Sequence, residues 1–373
     1  MNVARRKIAC VFGTRPECIK MAPVITGLQM ASFCDVLVIN TGQHRDLSRQ
    51  ALSLFGLQSN VDLDVMSVDQ SLADLSARIL TKLDALLAET HPDLLLVQGD
   101  TTSAYISALS AFYRRIPVGH VEAGLRTHDL RKPFPEEFNR VAISLMSTIH
   151  FAPTESAKAN LLREGVPEGA IHVTGNTVID ALLAVAEMDH ACDFPTRPNR
   201  RLILVTAHRR ENFGNPIHEI CRALRELHDR FPDVEFDYPV HPNPNIREPV
   251  TAHLSGHERI HLVPPADYIT LVGLMKRATV VLTDSGGIQE EAPALGKPVL
   301  VMRQETERPE AVAAGVAKLL GTDSRKIVDE TSRLLTDAAA YEAMARGVSP
   351  YGDGRAAARI VEHCRRLLSV QSS

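Results

Sequence analysis

The stretch TVVLTDSGGIQEEAPALGKPVLVMR, residues 279–303, decides the fold class of this chain. It begins with an apolar strand pattern, turns at Ser-Gly-Gly, continues into the helical segment IQEEAPALG and ends in a second strand pattern, KPVLVMR. Two short apolar runs separated by a helix are typical of a βαβ unit, whose parallel strands are buried by helices on both faces. The stretch therefore predicts an open parallel sheet.

The same alternation extends from this stretch along most of the chain, in two series. Strand patterns of the first half lie at residues 7–12, 35–40, 93–100, 116–124 and 148–153. Those of the second half lie at 201–208, 234–241, 259–265, 279–287, 297–303 and 317–321. Helical spacing fills the intervals, as at 72–89 and 215–231, and a polar segment at 189–201 separates the series. We predict an α/β protein with two Rossmann-like, doubly wound domains joined at 189–201.

Composition excludes several classes of function. The 373 residues carry 41 basic and 45 acidic side chains, for a net charge of −4, which does not favour a nucleic-acid or membrane partner. No segment has the length of a membrane span or of a signal-peptide core, so we expect a cytoplasmic protein. The six cysteines, at 10, 18, 34, 192, 221 and 364, form no CxxC pair, and no HExxH occurs. We therefore expect no disulfide, no metal and no other cofactor.

The segment GTRPECIK, residues 13–20, follows the first strand pattern and starts a helix. Free amides, the helix dipole and the cations Arg15 and Lys20 would suit an anion such as a phosphate. A solvated turn with surface charges explains the same residues, and neither GxGxxG nor a Walker sequence is present.

Acidic residues follow two further strands of the first half. Asp100 ends the strand pattern at 93–100, where an N-cap is the alternative interpretation. Glu122 lies in an otherwise apolar strand end, where an unpaired carboxylate is costly and a shifted pKa would suit acid/base chemistry. Glu136 and Glu137 begin a helix after two prolines, and Glu137 is interpreted as an ordinary N-terminal acid.

Strand ends of the second half carry cations and a phosphate-binding pattern. His208 and Arg209 follow the strand at 201–208, and His241, interpreted as a packing residue, ends the strand at 234–241. The turn residues Ser285, Gly286 and Gly287 can present amides to phosphate oxygens at a helix N-terminus.

Two charges near this turn complete a nucleotide diphosphate pattern. Glu291 can accept hydrogen bonds from a ribose diol, whereas Glu290 is interpreted as structural. Arg308, in the loop after the next strand, can approach the same phosphates. A phosphate cradle, a ribose acceptor and a cation on successive strand ends indicate a nucleotide diphosphate ligand.

Ten segments, in order over nearly the whole chain, resemble the non-hydrolysing UDP-N-acetylglucosamine 2-epimerases of bacteria. They are FGTRPECIKMAP (12–23), GDTT (99–102), GHVEAGLRT (119–127), PEEFNR (135–140), TGNTVIDAL (174–182), HRREN (208–212), PVHPNP (239–244), TDSGGIQEEAPALGKPVLVMR (283–303), TERPEA (306–311) and PYGDG (350–354).

The resemblance implies the GT-B architecture, with an interdomain active-site cleft and a C-terminal helix that crosses back. We accordingly expect a first domain of residues 1–170 plus 355–373 and a UDP-binding domain of residues 171–354. The implied reaction interconverts UDP-GlcNAc and UDP-ManNAc by anti elimination of UDP to 2-acetamidoglucal and re-addition. It would supply ManNAc-type sugars for surface polysaccharides, and the family implies a homodimer.

Residue roles carry over by position. The acid/base carboxylates correspond to Asp100, Glu122 and Glu136, without assignment to a face of the sugar, and His208 corresponds to the residue that assists UDP. The UDP and substrate contacts correspond to Arg15, Lys20, Ser285, Gly286, Gly287, Glu291 and Arg308. Some members bind a second UDP-GlcNAc as an activator, and Gln43, Arg209 and His241 match that site, whereas Asp46 and Asp69 depart from its pattern.

Two alternative functions remain at this point. A GT-B glycosyltransferase would share the Ser-Gly-Gly cradle but would give no reason for three carboxylates at strand and helix ends. A non-catalytic nucleotide-sugar sensor would use the same cradle and treat those carboxylates as caps.

Overall fold

A computed structural model of the chain describes residues 5–43, 45–67, 69–188, 200–347 and 349–370, without the side chains of residues 45 and 370. Residues 189–199 of the predicted connection at 189–201, which include Cys192, lie outside the described ranges. The chain forms two compact units, Met1–Ala181 with Tyr351–Ser373 and Leu182–Pro350. Each unit has one parallel sheet with helices, which confirms the predicted fold class.

The first unit is built on a seven-stranded sheet. Its strands are β1 (Arg6–Phe12), β2 (Cys34–Asn40), β3 (Val61–Asp62), β4 (Leu94–Gln98), β5 (Val118–Val121), β6 (Ile149–Ala152) and β7 (Ile171–Val173). The spatial order is β3-β2-β1-β4-β5-β6-β7, and the paired strands are parallel. The order reverses between β1 and β4, so the switch point of this sheet lies at their carboxyl ends.

The helices of the first unit connect these strands. They are α1 (Arg15–Met30), α2 (Arg45–Leu54), α3 (Leu72–Thr90), α4 (Thr102–Tyr113), α5 (Glu136–Met146) and α6 (Glu155–Arg163). α7 (Thr177–Glu187) follows β7, and the division between the units, after Ala181, falls within it. In α3, Ser71 and Asp74 form a capping box, and Leu75, Ile79, Leu83 and Leu87 make one buried stripe. That stripe packs with Val97 of β4 into the hydrophobic core of the unit.

The second unit repeats the arrangement with six strands. They are β8 (Arg201–Thr206), β9 (Val234–Pro239), β10 (Ile260–Val263), β11 (Val280–Thr283), β12 (Val299–Val301) and β13 (Ala317–Leu319), in the order β10-β9-β8-β11-β12-β13. Its helices are α8 (Asn215–Arg230), α9 (Pro244–Leu254), α10 (Tyr268–Arg277), α11 (Gly286–Ala294), α12 (Pro309–Ala313), α13 (Ser324–Thr336) and α14 (Ala338–Met344). The switch point of this sheet lies between β8 and β11.

The C-terminal helix, α15 (Ala356–Val370), lies in the first unit and packs on α1. Gly27 of α1 permits this approach, because a Cβ there would stand 3.1 Å from Val361 Cγ2. The carboxylate of Asp180 accepts hydrogen bonds from Ala356 N and Ala357 N, which fixes the start of α15.

The unit boundaries differ from the boundaries predicted at residues 170 and 355. β7, at 171–173, pairs in parallel with β6 and therefore belongs to the first sheet. Asn176 N donates to Tyr351 O at 2.6 Å, so the returning chain joins the first unit at residue 351. Sequence patterns missed β7 because it has three residues, of which only Ile171 is buried.

Candidate active site

The carboxyl edge of the first sheet brings together the three predicted acid/base residues. Asp100 lies two residues after β4, Glu122 directly follows β5, and Glu136 is the first residue of α5. β4 and β5 are neighbouring parallel strands, so their ends lie side by side. Burial raises the pKa of Asp100 above its ordinary value, and the charges of Glu122 and Glu136 raise it further.

Glu122 is a buried carboxylate that accepts hydrogen bonds from three side chains of the first unit, among its partners. Lys20 Nζ donates to both of its oxygens, at 2.6 and 2.8 Å, and Asn176 Nδ2 donates to Oε1 at 2.8 Å. Gln98 Nε2 donates to Oε2. The φ angle of Glu122 is +65°, a left-handed conformation that a glutamate adopts when its surroundings enforce it. One cation and two amides thus offset the cost of burying this carboxylate.

Within the described residues, the carboxylate of Asp100 has fewer polar partners than the carboxylate of Glu122. Its carboxylate forms an ion pair with Arg140, with 2.9 Å between Oδ2 and Nη2, and this positive charge opposes the rise of its pKa. Asn139 Nδ2 donates to the backbone carbonyl of Asp100 at 2.9 Å, so α5 holds the loop that follows β4. A half-buried carboxyl with a raised pKa is a stronger base than an ordinary aspartate, which suits it to proton exchange.

The two glutamates at the start of α5 differ in their environments. Glu136 is half-buried, whereas Glu137 is fully buried and accepts hydrogen bonds from Thr127 N and His128 N, both at 2.9 Å. Glu137 is therefore structural, as the sequence predicts, although it acts by fixing the loop after β5 rather than as a simple N-terminal acid.

The helix N-terminus after β1 departs from the predicted anion site. Glu17 accepts hydrogen bonds there from Gly13 N and Thr14 N, at 3.0 and 2.7 Å. A carboxylate of the chain itself therefore occupies the two amides that an anion would need. Arg15 is exposed and Lys20 is paired with Glu122, and these two side chains are the predicted ligand contacts on α1.

The switch point of the second sheet is organised by Asp284, which the sequence analysis did not single out. Asp284 directly follows β11, has 0% exposure and accepts hydrogen bonds from His208 N at 2.7 Å and Arg209 N at 2.8 Å. Asn212 Nδ2 donates to the same oxygen at 2.9 Å. An aspartate between an apolar strand and a glycine turn is the sequence signal that could have identified it.

The predicted phosphate cradle lies directly after Asp284. Ser285 is the N-cap of α11, its side chain makes no capping bond, and Gly286 and Gly287 are the first helical residues. The first-turn amides of a helix have no partner within the helix, and no acid lies in the first turn of α11. This N-terminus retains the features of an anion site that the start of α1 lacks.

Glu290 and Glu291 of α11 each have a side-chain partner from outside this helix. Arg308 Nε donates to Glu290, which is 3% exposed, so the structural interpretation of Glu290 agrees with its position. Tyr268 Oη donates to Glu291 Oε1 at 3.0 Å. Glu291 is thus a buried carboxylate held by a tyrosine.

The residues predicted for a second nucleotide-sugar site lie in both units. In the first unit, Gln43 Oε1 accepts a hydrogen bond from Ser103 Oγ at 2.8 Å. In the second unit, the exposed ring of His241 stacks on His208 with 5.8 Å between centroids. Arg209 Nη2 would stand 3.5 Å from a Cβ on Gly286, so Arg209 lies beside the cradle.

The described residues contain neither a cluster of metal-ligating side chains nor a candidate membrane span. Within the described ranges, no group of three or more His, Cys, Asp or Glu side chains could hold a metal ion. No helix in those ranges is long and apolar enough to cross a bilayer.

The two sheet edges define the class of protein. One edge carries a carboxylate cluster suited to proton transfer, and the other carries a histidine–aspartate pair beside a glycine-rich helix N-terminus suited to phosphate. Two Rossmann-order sheets with these edges characterise a two-domain α/β enzyme of the GT-B class.

Comparisons with known proteins identify the family. The model of the family UDP-N-acetylglucosamine 2-epimerase matches residues 27–365. The chain is 50% identical over 366 residues to the UDP-N-acetylglucosamine 2-epimerase of Escherichia coli K12, covering 95% of this chain and 97% of that protein. The chain belongs to the UDP-N-acetylglucosamine 2-epimerase family, whose members are isomerases.

Solved structures agree with this assignment. The crystal structure of UDP-GlcNAc 2-epimerase from Neisseria meningitidis bound to UDP-GlcNAc is 46% identical, with a TM-score of 0.87 over 96% of this chain and 100% of that chain. The glycotransferase of kitacinnamycin aligns with a TM-score of 0.68 over 98% of this chain and 99% of that chain, at 16% identity. That likeness shows a shared fold and nothing about activity.

Proposed function

We propose that this protein interconverts UDP-GlcNAc and UDP-ManNAc by epimerisation at C2. The observation that carries the proposal is the grouping of Asp100, Glu122 and Glu136 at one sheet edge, where burial and like charges raise the pKa of Asp100. Removal of a proton from a carbon atom needs an ionised carboxylate that acts as a base. Return of a proton to that carbon needs a protonated carboxyl group that acts as an acid.

The proposed reaction proceeds by anti elimination and re-addition. A carboxylate removes the C2 proton, the C2–H electron pair forms the C1–C2 double bond, and the C1–O bond breaks with its electrons going to the β-phosphate of UDP. The intermediates are 2-acetamidoglucal and UDP. A carboxylic acid then delivers a proton to the opposite face of C2, and the UDP oxygen re-forms the bond to C1, so no oxidant or reductant is consumed.

Different carboxylates are suited to different roles in this scheme. We assign proton exchange on one face to Asp100, because its raised pKa makes it a stronger base than an ordinary aspartate. Glu122 and Glu136 are the two candidates for the opposite face. Arg15 and Lys20 are candidates for contacts with the sugar nucleotide, as the family resemblance implies.

The second unit is proposed to hold UDP. The first-turn amides of Gly286 and Gly287 and the hydroxyl of Ser285 would bind phosphate oxygens, because the Ser285 amide already donates to Thr283 Oγ1 at 2.9 Å, and Arg308 would add positive charge. Glu291 would accept hydrogen bonds from the ribose. His208 would stabilise the negative charge that develops on the diphosphate as the C1–O bond breaks.

A second UDP-GlcNAc site remains a proposal for Gln43, Arg209 and His241. The position of Arg209 beside Gly286 and the stacking of His241 on His208 would couple such a ligand to the UDP-binding residues. Titrating the initial rate with UDP-GlcNAc tests this proposal, because an activating site gives a sigmoidal curve that His241→Ala makes hyperbolic.

We also propose a homodimer in the cytoplasm that supplies ManNAc-type sugars for surface polysaccharides. The buried free thiols, such as Cys10 and Cys364, suit a reducing compartment. Exposed Phe138 and Leu145 on α5 and Phe112 on α4 give an apolar face for self-association. Light scattering of the wild type and of Leu145→Glu measures the predicted dimer and its dissociation.

The reaction is tested by incubating pure protein with UDP-GlcNAc in D2O and recording NMR spectra. UDP-ManNAc that carries deuterium at C2 is the expected product. An unchanged sugar would contradict the proposed function, and release of free ManNAc with UDP would instead indicate a hydrolysing enzyme.

A further inference from the structure

The two carboxylate oxygens of Asp284 have different tasks. Oδ2 accepts the hydrogen bonds from His208 N, Arg209 N and Asn212 Nδ2, which fix the loop after β8. Oδ1 faces the ring of His208, with 3.2 Å to Nδ1. One oxygen therefore places the backbone of His208 while the other contacts its imidazole.

This contact selects one form of the imidazole. Oδ1 is buried and has no hydrogen-bond partner among the described residues, and a carboxylate can only accept, so the 3.2 Å contact favours the form of His208 that carries a proton on Nδ1. Nε2 is then the nitrogen that can reach a ligand oxygen. The negative charge of Asp284, enclosed at 0% exposure, also stabilises a positive charge on the ring.

Two other groups near His208, the side chains of His241 and Arg209, do not provide a negative charge against its imidazole. The ring of His241 stacks on the His208 ring, with 5.8 Å between centroids and an interplanar angle of 18°, but it is exposed, and its Nδ1 accepts a hydrogen bond from Asn243 N. Arg209 is engaged elsewhere: although burial alone would raise the pKa of Glu307, the hydrogen bond and charge of Arg303, together with the charge of Arg209, lower it to about 2. Asp284 is therefore the buried anion in contact with the His208 ring.

We infer that Asp284 is a positioning residue that acts on the departing UDP through His208, and this inference rests on the proposed function. Asp284 holds Nδ1–H, so that Nε2–H of the imidazolium donates to the diphosphate as negative charge develops there. The pKa of Asp284 supports its ionised state: burial alone would raise it, but the hydrogen bond and charge of His208 and the loop amides lower it below its ordinary value.

The test is the variant Asp284→Asn compared with His208→Asn and with the double variant. The asparagine side chain can keep one acceptor for the loop amides, but its amide group cannot accept Nδ1–H while it does so. We expect kcat to fall by at least about 100-fold, with a much smaller change in the Kd of UDP. Because Asp284 acts through His208, the double variant should be no slower than His208→Asn alone.

The control variant is Asn212→Ala. It removes one donor from the same carboxylate oxygen but leaves the contact of Asp284 with His208 intact. We expect kcat within a fewfold of the wild type. If Asn212→Ala lowered kcat as much as Asp284→Asn, the carboxylate would serve the loop rather than the ring, and the inference would be wrong.

A spectroscopic readout separates this inference from the proposed reaction. In 15N NMR spectra of imidazole-labelled protein without UDP, the neutral imidazole of His208 should be the Nδ1–H tautomer in the wild type and should shift to the Nε2–H tautomer in Asp284→Asn. This result does not require turnover, so an inactive wild type would contradict the proposed function alone. An unchanged tautomer, or rate losses that add in the double variant, would overturn the role of Asp284.

Discussion

Lys20 Nζ donates to both carboxylate oxygens of Glu122, at 2.6 and 2.8 Å, across 102 residues of sequence. The lysine that the sequence assigns to ligand binding is thus also the counter-charge of a candidate acid/base residue. Because the pair is largely buried, any group that draws Lys20 away changes the environment of Glu122.

Replacing Lys20 should destabilise the first unit. Lys20→Met leaves a buried carboxylate without its cation, which should lower the free energy of unfolding by about 3 kcal/mol. Urea unfolding measures this change. The control Lys158→Met removes a lysine paired with Glu168, whose side chain is 73% exposed, and should leave the free energy of unfolding nearly unchanged because solvent screens such a pair. Equal losses in the two variants would mean that burial of the Lys20 pair has no energetic consequence.

Replacing Glu122 should separate catalysis from binding. Glu122→Gln keeps the shape of the side chain but removes its charge, so turnover should be lost while the Kd for UDP changes less than about threefold. Calorimetry with UDP and the NMR assay measure the two quantities. Glu164→Gln, which alters the carboxylate paired with Arg126, is the control and should remain active. A fully active Glu122→Gln would refute the catalytic assignment.

The raised pKa of Asp100 predicts the acid limb of the pH profile. A base must be ionised, so kcat/KM should fall as pH decreases through the pKa of Asp100, which lies above the ordinary 3.8. Initial rates between pH 4 and 8 locate this limb. Arg140→Gln removes the positive charge that opposes the rise, so the limb should move to higher pH. A shift to lower pH in that variant would contradict the assignment of the limb to Asp100.

The phosphate cradle can be tested with a single methyl group. A Cβ on Gly287 would meet no atom closer than Ser285 Oγ at 4.0 Å, so Gly287→Ala should leave stability unchanged or raise it by up to about 1 kcal/mol. The same methyl group would lie where phosphate is proposed to bind, so UDP affinity should fall at least about tenfold. Gly169→Ala, with no atom within 4 Å, is the control in the first unit and should change neither quantity. Unchanged UDP affinity in Gly287→Ala would place the diphosphate elsewhere.

Buried histidines should make the first unit acid-labile. Burial lowers the pKa of His120 from 6.5 to about 3 and that of His150 from 6.5 to about 4. Between these values and pH 6.5 the unfolded chain binds protons that the folded chain does not, so stability is complete above pH 6.5 and is lost as pH falls. His150→Leu should reduce this loss by on the order of 3 kcal/mol at pH 4, as measured by urea unfolding. A wild-type stability that is the same at pH 7 and pH 4.5 would contradict the prediction.

The sequence predicted the strands and helices that carry strong periodic signals. In α8, Ile217, Ile220, Cys221, Leu224 and Leu227 are all buried, as their helical spacing indicates. Sequence patterns did not identify the edge strands β3 and β7, because two and three residues contain too little apolar alternation to indicate a strand. The boundary near residue 170 was displaced for the same reason, since only the pairing of β7 with β6 assigns 171–173 to the first sheet.

The sequence by itself determined the parallel α/β class, the family and the acidic and glycine-rich strand ends, because these depend on local composition and order. The tertiary structure decided which polar groups meet. Glu17 accepts hydrogen bonds from the amides of Gly13 and Thr14. Lys20 forms an ion pair with Glu122, and Asp284 contacts the imidazole of His208. Glu17 caps its own helix, but the other two pairs are remote in sequence, and the ordering of parallel strands, which brings their carboxyl ends to one edge, sets the distances that fix charge and tautomer.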